Sequence, residues 1–367
     1  MKILMITPTY YPKIGGIENH IKELSYYLSK NNHKVSIVVV NPNITDYKKS
    51  FLFGIETHYI KAIGRYPFIF FQNLNNFLKL KMYDIIHIHD PHLAGISFHF
   101  YYNKYNLPKI LSTHGGIFHT NKFKSLKKVY WKTVAKLLIR QYSKVICVSK
   151  SDYEKYKSLT NNLEIIENGI NVSKFSKIYS LFSKAPNKSF IYFGRFSKNK
   201  GIENLLKVFE ILFKKDNEIK LTLVGKSETE EINKLLQCFQ LKYPKNIKIY
   251  PFLDEDALLR ILSQHKFFIS ATKYEGFGIS ILEAAASGRI VIVNNISPIN
   301  KIFNKDEVFF VNFNNIEETV KNILNILSLS NLQFDKIRKK AFNKVKSYSW
   351  ENTVQKIEKL YFEVINV

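Results

Sequence analysis

Short runs of apolar, often β-branched residues alternate along the chain with longer stretches in which apolar residues recur at helical spacing. The early runs predict strands at Ile3–Thr7, Lys34–Val40, Ile85–His89, Lys109–Thr113, Val145–Ser149 and Leu163–Ile166. The stretches between them predict helices over 18–30, 121–142 and 151–157. Alternation of this kind is typical of a parallel sheet that is covered by helices on its faces.

After a looser segment at 171–188 the same rhythm starts again. It predicts strands at Phe190–Phe193, Lys220–Val224, Ile247–Tyr250, Phe267–Ser270, Ile290–Val293 and Val308–Val311, and helices over 201–215, 228–243, 254–264, 279–287, 316–329 and 334–346. Since 367 residues exceed the usual size of one hydrophobic core, the restart indicates two α/β domains in tandem.

We expect these to be two Rossmann-like domains, an amino-terminal one over 1–175 and a carboxyl-terminal one over 185–347. The last stretch, 348–367, predicts an amphipathic helix with Trp350 near its start, which we expect to join the amino-terminal domain. Ligands of such sheets bind beyond the carboxyl ends of the strands, so functional residues are expected in strand-to-helix loops.

The amino-acid composition indicates the cellular compartment of the protein. Only two cysteines occur, Cys147 and Cys238, each inside an apolar stretch, so a disulfide framework is excluded and a reducing compartment fits. The segment Met1–Thr7 is too short for a signal peptide, and no run of about 18 apolar residues predicts a spanning helix. We expect a cytoplasmic protein, either free or peripheral on the cytoplasmic face of the membrane.

The net charge of +25 is concentrated in the first part of the chain, where residues 1–150 hold 22 Lys and Arg against 6 Asp and Glu. Such a field favours polyanions or an anionic membrane surface, although a lysine-rich proteome explains it equally well. The segment 121–144 has apolar residues interleaved with Lys122, Lys124, Lys127, Lys128, Lys132, Lys136, Arg140 and Lys144. It predicts either a basic amphipathic helix on an anionic bilayer or a core-facing helix with a solvated lysine side. A second basic and aromatic patch spans 65–83.

Three glycine-containing loops carry the candidate chemistry. Gly15 and Gly16 precede the first predicted helix, where free backbone N–H groups suit a phosphate, although a purely structural turn explains the two glycines better when they are taken alone. The loop 194–201 places Arg195 and Lys200 beside a helix start, which suits a diphosphate. Its alternative is a solvated basic loop. In the segment 271–284, Glu275 precedes Gly276-Phe277-Gly278, and Glu283 follows Glu275 by eight positions. The Glu275 carboxylate could accept hydrogen bonds from sugar hydroxyls or could cap the helix. The Glu283 carboxylate could hold a ribose diol or could face solvent.

In order and spacing these segments resemble glycosyltransferase family 4, a family of retaining enzymes with the two-domain GT-B fold. The matching pieces cover nearly the whole chain: Gly15-Gly16, His87-Ile88-His89-Asp90, Thr113-His114-Gly115-Gly116, Val148-Ser149, Glu167-Asn168-Gly169, Gly194-Arg195-Phe196, Lys200-Gly201, Leu223-Val224-Gly225, Glu275 with Glu283, and Ser349-Trp350-Glu351. The resemblance implies two Rossmann-like domains facing across a cleft. It also implies an enzyme that moves a hexose from a UDP- or GDP-linked sugar to a glycan or lipid-linked acceptor in glycoconjugate biosynthesis.

The resemblance also implies a role for each matching residue. His114 would contact the donor sugar, Arg195 and Lys200 would bind the diphosphate, and Glu275 would hold sugar hydroxyls. Gly15 and Gly16 would approach the donor phosphate. The donor would also meet Gly276 and backbone amides at Phe277, Gly278 and Ile279, while Glu283 would hold the ribose and Glu18 would contact the acceptor.

No metal or other cofactor is expected. The acidic run Asp254-Glu255-Asp256 opens a predicted helix, where the helix dipole favours carboxylates. The histidines at 87, 89, 92, 114 and 119 lack a zinc-enzyme spacing, and we interpret His87 and His89 as facing opposite sides of their strand. Where the family has a glycine in the nucleobase loop, this chain has Pro251-Phe252-Leu253. The sequence therefore does not decide whether the donor nucleotide contains uridine or guanosine.

Two other functions compete with sugar transfer. A nucleotide-sugar epimerase can use the same architecture, although the paired cations and the full motif order favour transfer. A basic nucleic-acid-binding protein explains the charge, but it leaves Glu275, Glu283 and the glycine loops without a role.

Overall fold

A computed structural model describes residues 1–13, 15–65, 67–90, 92–114, 124–251 and 253–366. The chain forms two compact units. The amino-terminal unit comprises Met1–Gly169 and Trp350–Val367, and the carboxyl-terminal unit comprises Ile170–Ser349.

The amino-terminal unit is built on a mainly parallel sheet. Its strands are β1 (Lys2–Thr7), β2 (Lys34–Asn41), β3 (Lys48–Leu52), β4 (Ile55–Arg65), β5 (Phe68–Phe71), β6 (Ile85–His89), β7 (Lys109–Ser112), β8 (Lys144–Cys147) and β9 (Leu163–Ile165). They are arranged in the order β3-β4-β2-β1-β6-β7-β8-β9, and β3 and β5 both run antiparallel to β4. The central strands are mostly buried, as expected for a sheet that helices cover on both faces.

The helices of this unit are α1 (Gly16–Lys30), α2 (Gly95–Asn103), α3 (Lys124–Tyr130), α4 (Lys136–Leu138) and α5 (Lys150–Tyr156). A π-helical segment, Trp131–Ala135, joins α3 to α4, and a 3₁₀ turn over Ile139–Gln141 follows. The helix predicted over 121–142 is therefore irregular where it is described, and its first three residues lie outside the described part of the chain.

The carboxyl-terminal unit contains a second sheet in which all strands are parallel. Its strands are β10 (Ser189–Phe193), β11 (Lys220–Val224), β12 (Ile247–Tyr250), β13 (Phe267–Ser270), β14 (Ile290–Asn294) and β15 (Phe309–Val311), in the order β12-β11-β10-β13-β14-β15. The helices are α6 (Val172–Phe175), α7 (Ile202–Lys215), α8 (Glu230–Lys242), α9 (Glu255–Ser263), α10 (Ile279–Ala286), α11 (Ile299–Ile302), α12 (Ile316–Leu327) and α13 (Asn331–Val345). A 3₁₀ helix, Ser176–Lys184, follows α6. The prediction of two parallel α/β sheets is confirmed.

The last helix, α14 (Trp350–Ile365), belongs to the amino-terminal unit and packs beside α1. Trp350, Ile357 and Tyr361 lie in the same buried cluster as Ile21 of α1. Gly169 makes room for this packing, because a Cβ at that position would lie 2.5 Å from the Trp350 ring. None of the helices within the described residues is long and apolar enough to cross a bilayer.

Candidate active site

The candidate site residues of the carboxyl-terminal unit lie on two loops at the carboxyl ends of its strands and on helix α10, which follows the second loop. Strands β10 and β13 pair in parallel, so the loop after β10 and the loop after β13 leave the sheet side by side. Lys200 lies on the first loop and Glu275 on the second. Their Nζ and Oε2 atoms are 2.5 Å apart, and both side chains are largely shielded from solvent.

Backbone contacts hold the two loops together. The carbonyl oxygen of Asn199 accepts hydrogen bonds from the Lys273 backbone N–H at 2.7 Å and from the Thr272 hydroxyl at 3.3 Å. Gly201 adopts φ +65°, and a Cβ there would lie only 2.2 Å from the carbonyl oxygen of Ala271. Only glycine fits both the left-handed backbone and this close approach. The glycine after Lys200 therefore positions the lysine against the second loop.

A second close backbone approach lies at the end of the neighbouring strand β11. At Gly225, φ is +153° and a Cβ would lie 1.9 Å from the Gly194 carbonyl oxygen. The backbone N–H of Gly194 in turn donates to the Val224 carbonyl at 2.9 Å. The pair of glycines lets the ends of β10 and β11 touch without side chains between them.

Helix α10 begins four residues beyond Glu275, and a helix start without a side-chain cap is suited to an anion. Its N-cap is Gly278, at φ +97°, which has no side-chain oxygen to satisfy the first backbone N–H groups of the helix. Phe277 is buried and its ring lies 5.7 Å from that of Tyr348, whereas Gly276 has open space around its Cβ direction. Ile279 starts the helix, and Glu283 lies one turn further on and is half-buried.

Arg195 is placed differently from Lys200. Its side chain is about two-thirds exposed, and its Nη1 donates to Glu228 Oε1 at 2.7 Å. Each candidate cation therefore has a carboxylate partner, Glu275 for Lys200 and Glu228 for Arg195. Glu228 was not predicted as a site residue. No sequence signal links it to Arg195, since the two residues are 33 positions apart and meet only because Phe196 bridges to Ser227.

In the amino-terminal unit the first glycine loop follows β1. Gly15 is the N-cap of α1 in an extended conformation, and Gly16 opens the helix with no atom near its Cβ direction. Glu18 is buried in the first turn, and its carboxylate folds back so that Oε2 would touch a Cβ on Gly15 at 2.5 Å. The positive end of the helix dipole compensates this buried carboxylate. The N-terminus of α1 thus already carries a negative group.

Three histidine rings gather beyond the ends of β6 and β7 in the same unit. His114 Nε2 lies 3.0 Å from His89 Nδ1, and the His20 ring from α1 lies 4.8 Å from that of His114. Both ring nitrogens of His20 and the Nε2 atom of His89 are buried and have no hydrogen-bond partner among the residues that the structure describes. His114 adopts φ +48°, which is unusual outside glycine and is often found at functional sites. His20 was not predicted as a site residue, because a histidine within a helical pattern gives no indication of which distant residues its ring contacts.

The interpretation that His87 and His89 face opposite sides of β6 is wrong. Residues two apart in a strand share a face, and the two rings stack with centroids 4.2 Å apart. His87 has a structural role: its two nitrogens lie 2.6 Å from the Tyr361 hydroxyl and 2.8 Å from the Ser112 hydroxyl. The other three rings, His20, His89 and His114, have ligand atoms within 4.8 Å of one another and could hold a metal ion.

Burial keeps these imidazoles neutral. It lowers the pKa of His20 to about 4, and it lowers the pKa values of His89 and His114 well below the usual range, with mutual repulsion of their charged forms adding to the effect. His114 therefore offers a neutral imidazole at pH 7, able to exchange hydrogen bonds with a sugar hydroxyl.

Acidification is expected to destabilise the protein between about pH 6.5 and pH 4. In this window the unfolded chain takes up a proton at His20 that the folded chain does not, so the free energy of unfolding falls as the pH falls. At pH 5 the loss from His20 alone should be about 2 kcal/mol. Urea unfolding of wild type and His20→Gln at pH 7 and pH 5 tests this. An equal loss of stability in both proteins would contradict it.

Comparison with known proteins identifies the chain. The model of the family described as Glycosyltransferase Family 4 matches residues 14–174, and that of Glycosyl transferases group 1 matches residues 173–344, so together they span both units. The chain belongs to Glycosyltransferase Family 4. The epimerase and nucleic-acid-binding alternatives are set aside, and the enzyme is a nucleotide-sugar-dependent hexosyltransferase with the GT-B fold.

Relatives and structures agree with this assignment. A GDP-mannose:cellobiosyl-diphosphopolyprenol alpha-mannosyltransferase from Xanthomonas oryzae is 24% identical and aligns over 100% of this chain and 98% of its own. The crystal structure of a glycosyltransferase from Rickettsia africae has a TM-score of 0.73 at 20% identity, covering 99% of this chain and 98% of that one. Sucrose-phosphate synthase from Thermosynechococcus elongatus has a TM-score of 0.78 at 17% identity, covering 100% and 99%.

Proposed function

We propose that this glycosyltransferase moves a hexose from a GDP- or UDP-linked sugar to a lipid-linked or other glycan acceptor, with retention of the anomeric configuration, in the biosynthesis of a cell-surface polysaccharide, glycolipid or N-glycan. The observation that carries the proposal is the Lys200–Glu275 pair beside the uncapped start of α10. A cation, a carboxylate and free backbone N–H groups suit the diphosphate and the sugar of such a donor.

In the carboxyl-terminal unit, Lys200 and Arg195 bind the diphosphate. Each cation is paired with a carboxylate, so the diphosphate takes the place of that carboxylate at each of them. When Lys200 turns to phosphate oxygens, Glu275 is free to accept hydrogen bonds from sugar hydroxyls. The preset cations and the α10 dipole then stabilise the charge that develops on the leaving diphosphate.

The remaining donor contacts come from the start of α10 and the residues around it. Backbone groups of Gly276, Phe277, Gly278 and Ile279 meet the donor, and Glu283 holds the ribose. Open space at Gly276 and the buried anchor of Phe277 support this arrangement, since the backbone between them is both accessible and fixed.

The amino-terminal unit provides the acceptor side and one contact to the sugar. His114 contacts the donor sugar with a neutral ring, as its lowered pKa allows. Gly15 and Gly16 approach the donor phosphate, and the carboxylate of Glu18 beside Gly15 accepts a hydrogen bond from the acceptor. Glu18 also limits how much negative charge the start of α1 can take, so the main diphosphate contacts are assigned to Lys200 and Arg195.

The name of the Xanthomonas oryzae relative supports a lipid-linked acceptor, since that protein acts on cellobiosyl-diphosphopolyprenol. We place this enzyme in the cytoplasm, peripheral on the membrane face, with the basic segment 122–144 towards anionic lipid. Of that segment, residues 122 and 123 lie outside the described part of the chain, and the exposed cations Lys128, Lys132, Lys136 and Arg140 carry the proposal.

A donor screen tests the reaction. Hexoses linked to GDP and to UDP are added to the enzyme, and thermal stabilisation and nucleotide release are measured. A donor present at about 100 times its dissociation constant should stabilise the protein by about 2.7 kcal/mol. The anomeric proton of the product, read by NMR, gives the stereochemistry. Stabilisation by neither series, or a product of inverted configuration, would contradict the proposal.

Transfer is expected to need no metal ion. The diphosphate charge is met by Lys200, Arg195 and the start of α10, so a divalent cation has no required part in departure of the nucleotide. The rate should stay unchanged after dialysis against EDTA and on addition of Mg²⁺, Mn²⁺ or Zn²⁺. A rate that falls tenfold or more with EDTA and returns with one of these ions would assign a catalytic ion, with His20, His89 and His114 as the first ligands to test.

A further inference from the structure

The β4–β5 hairpin turns an apolar face to solvent. Its outward residues Ile63, Phe68 and Phe70 are 74%, 59% and 58% exposed, while Ala62 and Ile69 on the other face are buried. Ile63 lies opposite Phe70 in the antiparallel register, so the exposed side chains form one surface. The solvent face of an antiparallel pair normally carries polar residues. A contiguous apolar face of this kind indicates a surface that docks onto something apolar.

An apolar groove continues this face. It has a volume of about 200 Å³ and is lined by Phe68, Phe70, Ala94, Gly95, Phe98, Tyr130, Val134 and Leu138. The Phe70 and Phe98 rings are 6.2 Å apart, and the Phe68 and Tyr130 rings are 6.3 Å apart.

Glycine brings the hairpin onto α2. A Cβ on Gly95 would lie 2.5 Å from the backbone of Ile69, so any larger residue would push the hairpin away. The Gly95 backbone N–H also donates to the Pro67 carbonyl at 2.9 Å. The hairpin, α2 and the segment Lys124–Gln141 therefore form one surface, which we call the hairpin patch.

The charge around the hairpin patch is positive. Residues 57–150 contain fifteen Lys and Arg but only two acids, Asp84 and Asp90. Asp90 is buried and accepts hydrogen bonds from Ser97, and Asp84 accepts one from the Lys2 backbone N–H. The exposed cations nearest in sequence to the groove residues are Lys128, Lys132, Lys136 and Arg140, and Arg65 lies opposite Phe68 in the hairpin.

We propose that the hairpin patch inserts into the interfacial region of an anionic lipid bilayer, with Ile63, Phe68 and Phe70 among the lipid chains, and with the exposed Lys128, Lys132 and Lys136 on the headgroups. Exposed aromatic and aliphatic side chains with a basic rim match an anionic bilayer surface, which offers hydrocarbon and negative charge side by side. This extends the proposed function, because a lipid-linked acceptor would lie in the same bilayer.

Vesicle sedimentation tests the patch without any sugar transfer. Vesicles of phosphatidylcholine with phosphatidylglycerol should bind the wild-type enzyme, and vesicles of phosphatidylcholine alone should bind it much less. Phe68→Ser/Phe70→Ser should lower the vesicle affinity about tenfold or more, because two large apolar side chains are lost from the contact. The control Leu241→Ser/Leu332→Ser changes two exposed leucines of the other unit and should bind like wild type.

The contribution of the patch lysines is tested against a matched set of lysines in the other unit. Lys128→Gln/Lys132→Gln/Lys136→Gln should weaken binding to the anionic vesicles roughly 100-fold, since each lysine near such a surface adds roughly a fivefold gain. The control Lys234→Gln/Lys245→Gln/Lys248→Gln removes three exposed lysines from the carboxyl-terminal unit and should leave the affinity within about twofold of wild type.

Insertion of the hairpin into the bilayer can be measured separately by fluorescence. In a Cys238→Ser background the remaining cysteine, Cys147, is buried, so Phe70→Cys can be labelled selectively with an environment-sensitive fluorophore. Its emission should shift to the blue on addition of anionic vesicles, and the same label at Leu332→Cys should not shift. The proposal would be overturned by an unchanged emission at position 70 or by undiminished binding of the double phenylalanine variant. It would also be overturned if the enzyme did not bind vesicles at all, which is the result expected of a surface that docks onto another protein. Nucleotide release from the donor, measured without lipid, reports separately on the proposed reaction.

Discussion

Lys200→Ala is expected to lower kcat/KM for sugar transfer by about 100- to 1,000-fold while the variant stays folded. Lys200 is the best-placed cation in the carboxyl-terminal unit: its ammonium is largely buried, it lies 2.5 Å from Glu275, and it precedes the glycine that ties the two loops together. A preorganised cation in a shielded position stabilises developing charge far more than one in water, and alanine leaves nothing in its place.

The variant has a second effect on its partner. Without Lys200 the carboxylate of Glu275 is left mostly buried, with the Thr272 hydroxyl at 3.4 Å among its remaining contacts. An unpaired carboxylate there would repel a diphosphate, so we expect weaker donor binding as well as slower transfer. Thermal stabilisation by the donor should therefore be reduced together with the rate.

Lys198→Ala is the matched control. Lys198 belongs to the same 3₁₀ turn, but it is mostly exposed and is paired with Glu231 on the surface. Its removal should change kcat/KM by less than about threefold, since exposed ion pairs contribute little. Near-wild-type transfer by Lys200→Ala, with a circular dichroism spectrum like that of wild type, would remove the assignment of Lys200 to the diphosphate.

The parallel strands could be predicted from the sequence for a physical reason. Strands such as β1, β6 and β10 are covered on both faces, so each is a short run of apolar residues that stands out from the helical spacing around it. The hairpin around β4 and β5 was not predicted. Its outer face is apolar where solvent exposure would call for polar residues, so the strand alternation is absent. Helix α2 was missed because its apolar residues are spread around the helix rather than along one side.

The loops that carry the candidate site residues could be predicted from the sequence, but the contacts between residues of different loops could not. The rule that ligands meet the carboxyl ends of parallel strands led to Gly15, Arg195, Lys200 and Glu275. That Lys200 meets Glu275, 75 positions away, follows from the adjacency of β10 and β13, which the order of strands along the chain does not reveal. The same holds for His20 of α1, whose ring lies 4.8 Å from that of His114 although the two residues are far apart in the sequence. The roles of these residues in transfer stay predictions.

The substitution Gly201→Ala is expected to cost about 3 kcal/mol of stability. The left-handed backbone at φ +65° alone costs an L-residue about 1–2 kcal/mol. A methyl group only 2.2 Å from the Ala271 carbonyl oxygen must also push apart two loops that are tied by the hydrogen bonds of Asn199, which adds an overpacking cost of about 1–3 kcal/mol. Because the same shift carries Lys200 away from Glu275, transfer should fall as well.

Alanine substitutions at two further glycines separate the backbone cost of Gly201→Ala from its steric cost. Gly54 has φ +79° with no atom within 4 Å of its Cβ direction, so Gly54→Ala should show the backbone cost alone, about 1 kcal/mol. Gly276 has neither a positive φ nor a close neighbour, so Gly276→Ala should leave the stability almost unchanged. Urea unfolding of the three variants beside wild type measures all of these costs. If Gly201→Ala unfolds at the same urea concentration as Gly54→Ala, the close approach of the two loops does not hold Lys200 in place, and another contact must position it.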